Sequence, residues 1–338
     1  MNKKRVLAML LAGAMALSMT ACGGNSASTD DSSNDGGASA SGGSYKVSVI
    51  LKTLAAEYWQ YVKSGAEDYA SEHSDKVTVE VKGPSSETAF DEMQNMIETD
   101  LSSGSYDGVI ISPLQSDTAA QLVSGTKLPI VAIDTNFTAP EVKSFVGTGN
   151  EAAAKKGGEA AVEAAKAAGW TDIKCIEIAG VQDDQTNTAR MNGYKAGVEE
   201  AGGTFLSDEV QYADATADRA TTAMEAIMQT HPEGIAIICA NNDDMAMAAA
   251  RAAQGHDAYK NTIFLGFNGD RAACEAILAG QMTMSVAQMA YEMGYKAVET
   301  MVQVLDGETV DEFVDSGSDV VTPDNAQERL DTLKTQLH

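Results

Sequence analysis

"DGVIISPLQSDTAAQ", residues 107–121, and "EGIAIICANNDDMAM", residues 233–247, share one rhythm: an acid and a glycine, a short unbroken apolar run, a polar turn and a helix-like stretch. An apolar run without alternation marks a strand buried on both faces, as in parallel sheets covered by helices on either side. Around the first stretch lie "YKVSVIL" (45–51), "KVTVEVK" (76–82) and "PIVAID" (129–134). Around the second lie "IKCIEIAG" (173–180), "GTFLSDEVQY" (203–212) and "TIFLGFNG" (262–269), with amphipathic segments such as "ATTAMEAIMQT" (220–230) between them. Strand and helix alternating in this way, twice over, predict an α/β protein of two similar doubly wound parallel-sheet lobes. Asp134 and Asn268 close corresponding strands of the two halves. In open parallel sheets ligands gather outside the carboxyl ends of strands, so one ligand held by both ends requires a cleft between the lobes.

The first residues point to export. Lys3, Lys4 and Arg5 precede the apolar run "VLAMLLAGAMALSM" (6–19), which is too short to span as a mature helix and reads as a secretory leader over 1–21. Its end, Met19-Thr20-Ala21-Cys22, resembles the lipobox of bacterial lipoproteins with methionine in place of the usual leucine, which makes Cys22 the expected lipidated N-terminus on the outer face of the cell membrane. A free cysteine beside a soluble cleavage site is the competing reading. Residues 22–44 are rich in Gly, Ser, Ala, Asn, Thr and Asp with no large apolar residue, so they predict a flexible tether. The remaining stretch, 45–338, is long enough for two lobes.

Charge narrows the partners. The formal net charge is -26, and removing a leader with three basic and no acidic residues makes it more negative still. Nucleic acid is not expected as a partner, since the sequence holds no basic stripe to neutralise phosphates. Beyond Cys22 there are Cys175, Cys239 and Cys274, without zinc-site spacing, which read as buried thiols. No metal and no cofactor is expected.

From Tyr45 to about Asn325 the chain resembles the type I periplasmic sugar-binding proteins, the ribose-binding group in particular, which serve ABC transporters. "NTARMNGYKAG" (187–197), "ANNDDMAMAAARA" (240–252), "LGFNGD" (265–270) and "SVAQMAYEMGYKAVE" (285–299) carry the resemblance. It implies three crossings between lobes, near Thr148, Gln288 and Asp315, that form a three-strand hinge. The lobes would then be 45–148 plus 289–314 and 149–288 plus 315–338. It also implies that Tyr58 and Trp59, after the first strand, sandwich the apolar face of a sugar ring, with core packing as the alternative for either. Asp134 would accept from two hydroxyls, or serve as a strand-end turn residue; Arg190 would donate as a planar fork, or lie on a solvated helix face. Asn242 and Gln288 would give and receive through their amides, against the alternatives of a helix cap and a hinge contact. Asn268 stands where the ribose binders have an aspartate, Ala56 and Thr135 replace a polar amide and an arginine, and Ala215 replaces an aromatic. These departures argue for a ligand other than ribose: another sugar, a polyol or a cyclitol.

Rival chemistries fare worse. "GTGNEAA" (147–153) imitates a dinucleotide phosphate turn but does not follow the first strand, and no acid closes a strand at the required distance. The pairs Asp183-Asp184 and Asp243-Asp244 sit where helices begin, where the helix dipole favours acids, so they do not by themselves make a general acid and base; the first pair keeps a chance of touching ligand or a cation. The four histidines show no triad or metal spacing. The expectation is therefore a monomeric, lipid-anchored substrate-binding protein, not an enzyme, that captures a small carbohydrate or polyol and delivers it to an ABC permease. A sensor presenting its ligand to a membrane receptor is the alternative on the same fold.

Overall fold

The structure is a computed structural model, and it describes residues 44–337. The leader, the tether and Cys22 lie outside the described residues. In chain order the first half contains β1 (Tyr45–Ile50), α1 (Glu57–Glu72), β2 (Val77–Lys82), α2 (Phe90–Ser103), β3 (Gly108–Ile111), α3 (Ser116–Val123), β4 (Ile130–Ile133) and β5 (Val142–Gly147). Next come α4 (Asn150–Ala167), β6 (Lys174–Ala179), α5 (Gln185–Glu200), β7 (Thr204–Phe205), β8 (Gln211–Tyr212), α6 (Ala217–Thr230), β9 (Ile237–Ala240), α7 (Asp243–Ala253), β10 (Ile263–Asn268), α8 (Arg271–Leu278) and β11 (Met284–Gln288). The chain ends with α9 (Ala290–Leu305), β12 (Phe313–Asp315), β13 (Ser318–Val321) and α10 (Ala326–Lys334).

Two sheets result. The first has the order β12-β5-β4-β3-β1-β2, parallel throughout. The second runs β13-β11-β10-β9-β6-β7, with β8 also paired to β6, and is parallel apart from β13 on β11. Both orders reverse around their first strand, the arrangement of a doubly wound fold, and leave a crevice at the strand carboxyl ends. β3, β4 and β9 are buried at every residue, which is why their sequences are apolar without alternation. The stretch 203–212, by contrast, is not one strand. It forms the two-residue β7 and β8 around a 3₁₀ turn at Ser207–Glu209, because its run is interrupted by three consecutive polar residues.

The chain passes between the sheets after β5, after β11 and after β12. After β11, α9 returns to pack along α1 on the first sheet. That contact depends on Gly65 and Gly294: a side-chain carbon on either would run into the opposite backbone, at Tyr291 and Val62 respectively. Cys175, Cys239 and Cys274 are buried and free, and the sulfurs of Cys175 and Cys239 lie 3.3 Å apart across β6 and β9. None of the described helices is long and apolar enough to cross a membrane.

Candidate functional site

The carboxyl ends of the two sheets face each other across a cavity lined by residues of both lobes. All seven residues expected from sequence line it: Tyr58, Trp59 and Asp134 from the first lobe, and Arg190, Asn242, Asn268 and Gln288 from the second. Asp134 and Asn268, at the ends of β4 and β10, both take positive φ, 62° and 136°, a region that costs a non-glycine residue roughly 1–3 kcal/mol. Strain of this kind persists only where the surroundings over-determine the conformation.

On the first lobe, the Tyr58 hydroxyl donates to Asp134 Oδ1 at 2.7 Å, and burial together with this carboxylate pushes the phenol well above its ordinary pKa. Trp59 meets Tyr58 edge-on, ring centres 4.9 Å apart, and its Nε1 donates to Glu87 Oε1 at 3.0 Å. Packing and wall are thus not exclusive for this pair, since both rings are nearly fully buried and both line the cavity. Thr135 donates to Asp134 Oδ2 at 3.0 Å and meets the Thr186 hydroxyl of the other lobe at 2.6 Å.

On the second lobe, Arg190 is buried rather than solvated. Its Nε donates to Asn150 Oδ1 and its Nη1 to the Asn241 carbonyl, each at 2.8 Å, while the guanidinium carbon lies 3.9 Å from the centre of the Phe267 ring. This fork and stack hold the guanidinium plane rigidly at the cavity. Asn242 caps α7: its Oδ1 accepts from Met245 N at 2.9 Å, and its Nδ2 donates to the Ala215 carbonyl. The helix-cap alternative is therefore real for Asn242, on a side chain that also lines the cavity. Gln288 Nε2 donates to Asn268 Oδ1 at 3.0 Å, leaving Gln288 Oε1 buried without a partner among the described residues.

Five charged residues of the lining escaped sequence reasoning or were only half seen: Lys52, Glu87, Asp184, Asp244 and Asp270. Lys52 follows β1 and pairs with Asp184, the cap of α5 on the other lobe, at 2.6 Å. Burial would discharge both, yet the attraction wins. Lys52 is held above its ordinary pKa by Asp184, Asp134 and Glu87, and Asp184 below its own by Lys52 and the Asn187 N–H. Asp184, read in sequence as a helix-start acid with a chance of touching ligand or a cation, joins the lobes and lines the cavity; Asp183 is exposed outside this lining. Among the described residues no three His, Cys, Asp or Glu side chains are grouped to hold a metal ion.

The comparisons agree with this geometry. The family profile described as "Periplasmic binding protein domain" matches residues 47–309. The D-allose-binding periplasmic protein of Escherichia coli (strain K12) is 29% identical over 265 residues, 75% of this chain and 83% of that protein. The ribose import binding protein of the same organism is 27% identical over 268 residues, 78% of this chain and 86% of its own. Among solved structures, a carbohydrate transporter solute binding protein from Agrobacterium radiobacter, in complex with D-arabinose, superposes with a TM-score of 0.77 at 23% identity, covering 88% of this chain and 100% of that one. With two parallel-sheet lobes, a polar and aromatic cavity between them and a profile match over most of its length, this chain belongs to the periplasmic binding protein family.

Proposed function

We propose that this chain is a lipid-anchored extracellular binding protein that captures a small sugar or polyol between its lobes and delivers it to an ABC permease, working as a monomer and without chemical conversion. The lobes in this reading are 45–148 plus 289–314 and 149–288 plus 315–338, tethered through 22–44 to a lipid on Cys22. The observation that carries it is the make-up of the cavity wall. Two aromatic rings offer an apolar face, and acids, amides and a guanidinium from both lobes surround them. A hydroxylated ring has the same division, with C–H faces and a polar rim. Tyr58, Trp59, Asp134, Arg190, Asn242, Asn268 and Gln288 are the proposed ligand contacts. The similar proteins that bind D-allose, ribose and D-arabinose support the ligand class.

Because a ligand touching both lobes binds only the shut state, it shifts the population toward closure, and the permease reads closure as occupancy. The test is a thermal-shift screen of sugars, polyols and cyclitols against the full chain. A bound ligand raises the melting temperature with the logarithm of its excess. A rise with at least one compound is expected; a flat response across all of them rejects the ligand class. The anchor is tested separately by incorporation of labelled fatty acid in a producing bacterium, which Cys22→Ala should abolish.

A further inference from the structure

The cavity is lined by more negative charge than its own cations balance. Glu87, Asp134, Asp184, Asp244 and Asp270 stand against Lys52 and Arg190. Lys52 is paired with Asp184, and Arg190 is engaged by Asn150, Asn241 and Phe267. Glu87 accepts from Trp59 and feels the charge of Lys52.

Asp270 has less relief: the charge of Arg329 reaches it, but without an ion pair between them. Its side chain has one hydrogen bond, from Asn268 Nδ2 at a long 3.4 Å, and it makes no ion pair among the described residues. Asp243, Asp244 and Glu57 are its acidic neighbours. The nearest arginines serve other partners: Arg271 pairs with Glu57 at 3.2 Å, and Arg329 donates to the carbonyl oxygens of Gly269 and Gln288. Neither arginine lines the cavity. Burial and the surrounding acids accordingly push the Asp270 carboxyl well above its usual range.

A second observation points the same way. Gln288 Oε1 belongs to the same wall, linked to Asp270 through Asn268, and it is an acceptor without a partner in a side chain only 1% exposed. This corner thus presents acceptor oxygens and a carboxyl that, without a cation beside it, is held toward its protonated form. A hydroxyl can donate to one of these oxygens but brings no charge to hold the carboxylate ionised. An ammonium group supplies three donors and a positive charge together.

Resting on the sugar-binding reading above, we infer that the ligand is an aminated sugar or cyclitol whose protonated amine is received by Asp270 and the Gln288 amide oxygen. The test is calorimetric titration of the full chain with 2-, 3- and 6-amino hexoses and aminocyclitols, each beside its neutral parent and its N-acetyl derivative. At least one amine should bind about 10-fold to 100-fold more tightly than its parent, as for one charge-assisted hydrogen bond. N-acetylation, which removes the charge, should erase the gain, and Asp270→Asn should bring the amine-to-parent ratio close to one. The N-acetyl comparison uses unaltered protein, so it decides even if the variant folds poorly. Neutral parents binding as tightly as their amines, or a ratio that survives Asp270→Asn, overturns the inference and leaves the sugar-binding reading standing. If neither class binds, that reading falls as well.

Discussion

Arg190 shows why a conservative replacement in this cavity is not conservative. Its guanidinium forks between Asn150 and the Asn241 carbonyl and lies flat on Phe267, and a lysine has neither the plane nor the fork. Arg190→Lys should therefore weaken binding of whichever sugar stabilises the protein by about 10-fold or more, and Asp134→Ala by about 10-fold to 100-fold, the range for a charge-assisted hydrogen bond. Calorimetry checks both, and wild-type affinity in either variant removes that residue from the site. Asp134 and Asn268 were legible in sequence because an apolar run ends at them, and the end of a buried strand is where this fold opens to ligand. Lys52, Glu87 and Asp270 were not legible. Their significance comes from side chains that the fold brings near them, and no local pattern records that approach. Asn242 could be read both as a cap and as a wall residue, and the two roles coincide on one side chain.

At the scale of an element, β6 carries an anomaly in its sequence "KCIEIA". Glu177 faces a core of cysteines, tyrosine and phenylalanine, is completely buried, and has both carboxylate oxygens without partners among the described residues. Burial pushes its pKa up to about 8, with the Arg190 charge pulling weakly the other way. A carboxyl whose folded pKa exceeds its unfolded one favours the fold while protonated. Its contribution is fully present below about pH 4.5 and is lost as pH rises through about 8. Within that window the limiting slope is about 1.4 kcal/mol per pH unit. Glu177→Gln removes the titration, so its melting temperature should fall less between pH 5 and pH 8 than that of the parent chain. Parallel melting profiles would show that Glu177 is not protonated in the fold. The rhythm of strand and helix was readable throughout β6 and its neighbours, since each buried strand keeps its apolar run. It failed at 203–212, where β7 and β8 are two residues each and their pairing to β6 comes from sheet context rather than local pattern.

For the whole molecule, closure is opposed or favoured by whatever the lobes bury against each other. Lys52 with Asp184, Thr135 with Thr186, and Glu57 with Arg271 are such contacts. The first is buried on both sides, with each side chain 7% exposed, whereas Arg271 is about half exposed and its pair is worth little. Opening the cleft returns Lys52 and Asp184 to water, so their attraction is set against the desolvation of two charges, and the net effect on closure is small. Removing one partner is different, because closing then buries a lone charge at a cost of about 3–5 kcal/mol. Lys52→Met should accordingly weaken sugar binding by at least about 10-fold and leave the chain more open in solution, with a larger radius of gyration by X-ray scattering in the presence of ligand. Adding Asp184→Asn, which keeps an acceptor for the Asn187 N–H at the start of α5, should recover most of both losses. Recovery in the double variant identifies the unpaired charge as the obstacle to closure; a double variant as weak as Lys52→Met would mean instead that Lys52 acts by touching the ligand directly.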